Sequence, residues 1–245
     1  MPVGPLINAL AVLLGGVLGA MLGGKVPERL RVNLPLTFGA ASMGMGVVLI
    51  AKVHALPPVI LALLLGSAIG ELVMLEKGIE RLAGKIRGPI ERLLPAGVSG
   101  SSSGAGPDPN VFMQQFVGIV VLFCASGTGI FGALNEGMTG DYTVLLSKSF
   151  LDFCTALIFA ASLGYIVPTI ALPQAAILLA LFFGAGLILP LTTPEMIADF
   201  SAAGGIVMLA TGFRICGIKA FPVANMLPAL VLVMPISHYW TVLFG

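Results

Sequence analysis

The chain of 245 residues is 58% apolar and 9% charged, with 12 basic residues, 11 acidic ones and a net charge of +1. Soluble globular chains carry about a quarter charged residues, so this one cannot coat a water-facing surface. It has no basic stripe to suggest a nucleic-acid partner. Its three cysteines, Cys124, Cys154 and Cys216, lie in or beside apolar runs. Neither a disulfide framework nor a zinc spacing fits them, and they read as small buried hydrophobes.

Repeated apolar runs, each near the roughly 20 residues that cross a bilayer as a helix, predict an all-α polytopic membrane protein. It forms a single transmembrane domain over residues 1–245, with the lipid bilayer as its first partner. Glycine, proline and charge punctuate eight predicted spans: 4–24, 34–53, 57–75, 111–134, 142–166, 169–190, 194–213 and 221–243. The first run has no basic residue before Lys25, so it lacks the charged start of a secretory signal and reads as a retained span. Prolines mark the tightest connections, "ALPP" at 55–58, "IVPTIALP" at 166–173 and "LPLTTPE" at 189–195.

Between the third and fourth spans, residues 75–94 place Leu75, Ile79, Leu82, Ile86, Ile90 and Leu93 at helical spacing among charges. The segment, 76–94 at its narrowest, predicts an amphipathic helix on the inner membrane surface, kinked at Pro89. Residues 95–110, "PAGVSGSSSGAGPDPN", then form a flexible cytoplasmic linker. With the N-terminus outside, ten of the twelve basic residues fall in inner loops. By the positive-inside rule both termini are expected on the outer side.

Residues 127–132 spell G-x-G-x-x-G within "CASGTGIFGALNEG". The dinucleotide fingerprint requires a preceding strand and a following helix N-terminus. Here it follows "VGIVVLFCAS" inside a span, so no nucleotide cofactor is implied. Membrane helices use glycine to approach each other, as the small-xxx-small steps Gly15, Gly19, Gly23 and Gly66, Gly70 predict. Ser126 and Thr128 among these glycines point to one of two things. They suit ordinary close packing, or an unwound helix whose oxygens hold an ion.

Lys148 and Asp152 are four apart and share one face of the fifth span. A carboxylate at helix centre costs on the order of 2.5–3.5 kcal/mol on insertion scales, so the pair is either a structural staple or a substrate, ion or proton site. Asp199, one turn into the seventh span, either joins that cavity or caps an interface. "PLINALAVL" at 5–13 and "PVANMLPAL" at 222–230 share P-x-x-N-x-L-x-x-L and place Asn8 and Asn225 one turn into oppositely directed helices. "FGAA" at 38–41 and "FSAA" at 200–203 echo in the same way. Inverted repeats are frequent in secondary transporters, although first matching last is not the order that a tandem duplication leaves.

The stretches "GPLINALAVLLGGVLGA", "GELVMLEKG", "VLFCASGTGIFGALNEGMTGD", "KSFLDF", "LPLTTPEM" and "LATGFRICGIKAFPVANMLPAL" resemble an uncharacterised family of bacterial inner-membrane proteins, a domain of unknown function. The resemblance implies the cytoplasmic membrane and brings no catalytic or binding residues with it. The residues themselves predict a transporter or channel for a small solute or ion. Asp152 and Lys148 would be its charged centre, Ser126 and Thr128 its oxygens, and Asn8, Asn225 and Asp199 would complete the cavity. The alternative is a non-transporting structural or regulatory protein whose polar residues only pack the bundle. Neither an H-E-x-x-H nor a serine–histidine pairing suggests an enzyme. No metal site or cofactor is expected, and a homo-oligomer is compatible with the sequence.

Overall fold

In the computed structural model, residues 1–79, 81, 119–120, 123–124 and 126–244 are described. Most of the predicted surface helix at 75–94, and the linker at 95–110, lie outside them. The helices in chain order are α1 (Val3–Leu22), α2 (Glu28–Ile50), α3 (Leu56–Val73), α4 (Gly127–Thr139), α5 (Thr143–Leu163), α6 (Ala171–Ile188), α7 (Pro194–Ile215), α8 (Val223–Met226) and α9 (Pro228–Phe244). Among the described residues, seven segments are long and apolar enough to cross a membrane. The protein is a multi-pass, all-α membrane protein.

Helix starts follow local chemistry. Prolines open α3, where their missing N–H groups cost nothing. Pro194 opens α7, and the Thr193 hydroxyl there accepts from the Met196 N–H at 3.4 Å. In α7, 72% of its most apolar window is buried, against 17% in the segment containing α6. The first is therefore the central helix, and the second lies at the lipid-facing edge.

Glycine contacts give the helix directions. A Cβ added at Gly15 or Gly19 of α1 would meet the backbone of Phe153 or Leu157 in α5 closer than 3.0 Å. Both residue numbers rise together, so α1 and α5 are parallel. Gly39 and Gly46 of α2 face the backbone of Gly212 and Gly205 in α7, and the crowding is reciprocal. That pair is antiparallel, with neither helix able to carry a side chain at the contact. The backbone of Ala229 and Asn225 meets Gly66 and Gly70 of α3 in the same antiparallel sense. Because α3 is two short connections on from α1, it runs with α1 and α5. The chain between α3 and α5 therefore returns to the level at which α3 began, and α4 lies on that return.

Three boundaries refine the sequence reading, the first by taking one of the two alternatives left open at Ser126. The fourth span is interrupted at Ser126, which is extended (φ −71°, ψ 133°) between helical residues 123–124 and the start of α4. Its helix then continues to Thr139, so Asn135 and Glu136, read as an outer loop, are buried helical residues. The last span is split at Leu227 by Pro228, whose ring cannot continue the preceding turn. Between α5 and α6 the chain climbs through two short 3-10 turns, Gly164–Ile166 and Pro168–Ile170, with Val167 and Ile170 buried.

Candidate functional site

α4 has 13 residues, about 20 Å at 1.5 Å per residue. Its N-terminus therefore lies deep in the layer, well below the Asp141 turn. Ser126 caps it, its hydroxyl accepting from the Gly129 N–H at 3.1 Å. Lys148, one and a half turns into α5, reaches this point because its side chain is long. A Cβ at Gly129 would meet Lys148 Cε at 3.1 Å. The ammonium also lies 5.9 Å from the centre of the Phe123 ring, within cation–π range.

The Lys148 ammonium pairs with Asp152 Oδ2. The same oxygen accepts from Asn8 Nδ2 at 2.9 Å and from Gln174 Nε2 at 3.0 Å. Gln174 Nε2 also donates to Asn8 Oδ1 at 2.7 Å, and Asn8 Nδ2 lies 3.4 Å from Ser149 Oγ. Asn8 and Gln174 are both fully buried. One carboxylate oxygen thus ties together α1, α5 and α6. Three donors on one anion compensate its removal from water. Gln174 Oε1 is the one buried side-chain oxygen or nitrogen among the described residues that is left without a partner.

Next to this network is a cavity of about 60 Å³, lined by Lys148, Asp152 and Thr155 of α5, Ser126 and Thr128 at the helix break, Ser42 of α2 and Thr211 of α7. Phe38, Leu151 and Ile215 complete its wall. The hydroxyls of Ser42, Thr155 and Thr211 donate to carbonyls of Met208, Leu151 and Val207. Their remaining lone pairs are left for whatever occupies the space.

Of the residues expected at one site, Lys148, Asp152, Ser126 and Thr128 come together, and Asn8 joins through Asp152. Asp199 and Asn225 do not. Asp199 is fully buried, and its Oδ1 accepts from the N–H groups of His54 and Ala55 at 2.9 and 2.8 Å. Its Oδ2 accepts from Ser237 Oγ at 2.6 Å. It caps the start of α3, the interfacial role its position near a helix end also allowed. Asn225 lies at the opposite end, where its Nδ2 donates to Glu71 at 2.5 Å and its Oδ1 accepts from the Glu76 N–H at 2.8 Å. Glu76 in turn holds Arg214 at 2.6 Å.

Sequence reasoning missed Gln174, Ser42, Thr155, Thr211 and Glu136. Gln174 had a visible signal, a lone amide inside "ALPQAAILL". The hydroxyls had none, because serine and threonine in a span are commonly bonded to their own helix. Glu136 is 2% exposed, and both its oxygens accept from the Gly4 N–H, at 3.0 and 3.1 Å. It caps α1 from a helix that follows more than a hundred residues later.

The geometry can be set beside known proteins. The chain is 55% identical over 245 residues to the uncharacterized protein YqgA of Escherichia coli (strain K12), covering the whole of both. It is 25% identical over 248 residues to the uncharacterized membrane protein YdfK of Bacillus subtilis (strain 168), covering 99% of this chain and 98% of that one. No solved structure matches it. The model of the family described as a protein of unknown function, DUF554, matches residues 3–238, and the chain therefore belongs to the DUF554 family of membrane proteins.

Proposed function

We propose that the protein moves a small solute or ion across a bacterial inner membrane, with the Lys148–Asp152 pair as its central site. The observation that supports this best is the cavity. A charge pair and five hydroxyl residues from four different helices converge on it, next to a helix broken inside the layer. Broken helices at mid-membrane supply binding groups in secondary transporters, and irregular backbone is tolerated there only where it is buried or lines a cavity. The orientation follows from charge. The end bearing Lys25, Arg29, Arg214 and Lys219 faces the cytoplasm, and the Asp141 end faces outward.

The echo between the chain ends favours an inverted relationship. Asn8 bonds Asp152 on α5, the helix against which α1 packs through glycine. Asn225 bonds Glu71 on α3, the helix that its own segment meets through glycine. A non-transporting, structural reading draws on a different fact. Among the described residues, Glu136 and Asp199 are the other buried acids, and both cap helices.

Flux decides between these readings. Purified protein in liposomes is assayed for uptake of labelled acetate, glycine, sodium and potassium, with Asp152→Asn alongside. Uptake by the wild type that is lost in the variant is the expected result. No uptake of any of these, with the variant merely less stable, assigns the pair to scaffolding.

A further inference from the structure

Thr128 is 5% exposed and lines the cavity, and no hydrogen bond to its hydroxyl is found among the described residues. Unlike Gln174 Oε1 the hydroxyl is not sealed off, and it is free to bond whatever occupies the cavity. Its position carries a second meaning, because Thr128 lies in the first turn of α4. The opening N–H groups of a helix have no partner within it. Ser126 serves one of them, its hydroxyl accepting from Gly129 at 3.1 Å. For those of Gly127 and Thr128 no partner is found among the described residues.

The electrostatics favour one sign of ligand. The α4 N-terminus contributes about half a positive charge, and Lys148 Cε, which carries the ammonium, lies against the same turn. Among the described residues Asp152 is the only carboxylate lining the cavity, and its Oδ2 is already shared among Lys148, Asn8 and Gln174. The helix-break side of the cavity is therefore positive and rich in donors. The volume of about 60 Å³ limits the bound group to a few heavy atoms.

We infer that the site binds a small carboxylate, its oxygens held between Lys148 Nζ, the Thr128 hydroxyl and the α4 N-terminus. This rests on the transport reading and names its substrate class. The carboxylate comes from a free monocarboxylic acid or from a small zwitterion, whose ammonium would turn to Asp152.

The test is a thermal-shift titration of the detergent-purified full chain. Sodium formate, sodium acetate and glycine are compared with sodium sulfate at equal ionic strength, and choline replaces sodium in a parallel series. Wild type is run beside Thr128→Val, which keeps the shape and removes the hydroxyl, and beside Lys148→Met/Asp152→Leu, which removes both charges. A saturable rise in Tm with formate or acetate is expected. Thr128→Val should weaken it about tenfold or more, as loss of one hydrogen bond to a charged group implies, while leaving the unliganded Tm close to wild type. The double variant should abolish it. A rise with glycine alone, equally sensitive to Thr128→Val, assigns the carboxylate to a zwitterion. A response to sodium that is indifferent to the anion overturns the carboxylate inference and leaves transport standing. A carboxylate response unchanged in Thr128→Val overturns the placement at α4. Silence in every series, together with no flux of any solute in liposomes, removes both readings.

Discussion

Asn at position 152 would leave Lys148, 4% exposed, as a buried ammonium without a counter-ion. Breaking a buried pair from one side costs about 3–5 kcal/mol, and Asp152→Asn should lower stability on that scale in denaturant titrations. Replacing both partners with apolar residues should restore most of it, because neither charge is then stranded. A double-mutant cycle reads the difference. If the joint replacement is as damaging as the single one, the Asn8 and Gln174 network, rather than the charge pair, holds α1, α5 and α6 together. The pair itself could be read in the sequence, because two charges four apart in a span are conspicuous. Its amide partners could not, because Asn8 lies 144 residues from Asp152 in the chain.

Two glycines of α2 separate packing from propensity at the level of the element. A Cβ at Gly46 would meet Gly205 O at 2.6 Å, whereas one at Gly44 would have nothing within 4 Å. Gly46→Val must push backbone against backbone, and overpacking typically costs about 1–3 kcal/mol. Gly44→Ala should be neutral or stabilising, by up to about 1 kcal/mol from helix propensity. Thermal denaturation of the two variants checks the contrast, and equal effects would contradict the close α2–α7 contact. Helix starts give a second test. Asp199→Ala removes the acceptor for two N–H groups at the head of α3 and leaves Ser237 Oγ without it. A lost cap costs about 0.5–2 kcal/mol. Amide exchange should quicken at His54 and Ala55 first, while the Lys148 network stays protected. A loss spread evenly across the bundle would mean that Asp199 does more than cap.

The whole molecule presents two chemically distinct ends, which makes its orientation testable. With native cysteines replaced, a single cysteine at Lys219 should be labelled by a membrane-impermeant maleimide only after inner-membrane vesicles are inverted. One at Asp141 should be labelled from the periplasmic side. The reverse pattern would overturn the assignment drawn from basic residues. What the sequence by itself determined is what depends on composition and local spacing. This covers the membrane class, the positions of most spans, the positive-inside bias and the charged pair, while at Ser126 it left close packing and an unwound helix both open. These are one-dimensional properties, since hydropathy, charge and glycine content act within a window of some twenty residues. Only the tertiary structure decided which polar groups meet. It separated Asp199 and Asn225 from the centre and drew in Gln174, Ser42 and Thr211. It also made Glu136 a cap for a helix at the far end of the chain. Partner choice among buried polar groups is set by which helix faces approach one another. In this bundle that approach is set by glycines at which an added Cβ would meet a neighbouring backbone at less than 3.0 Å.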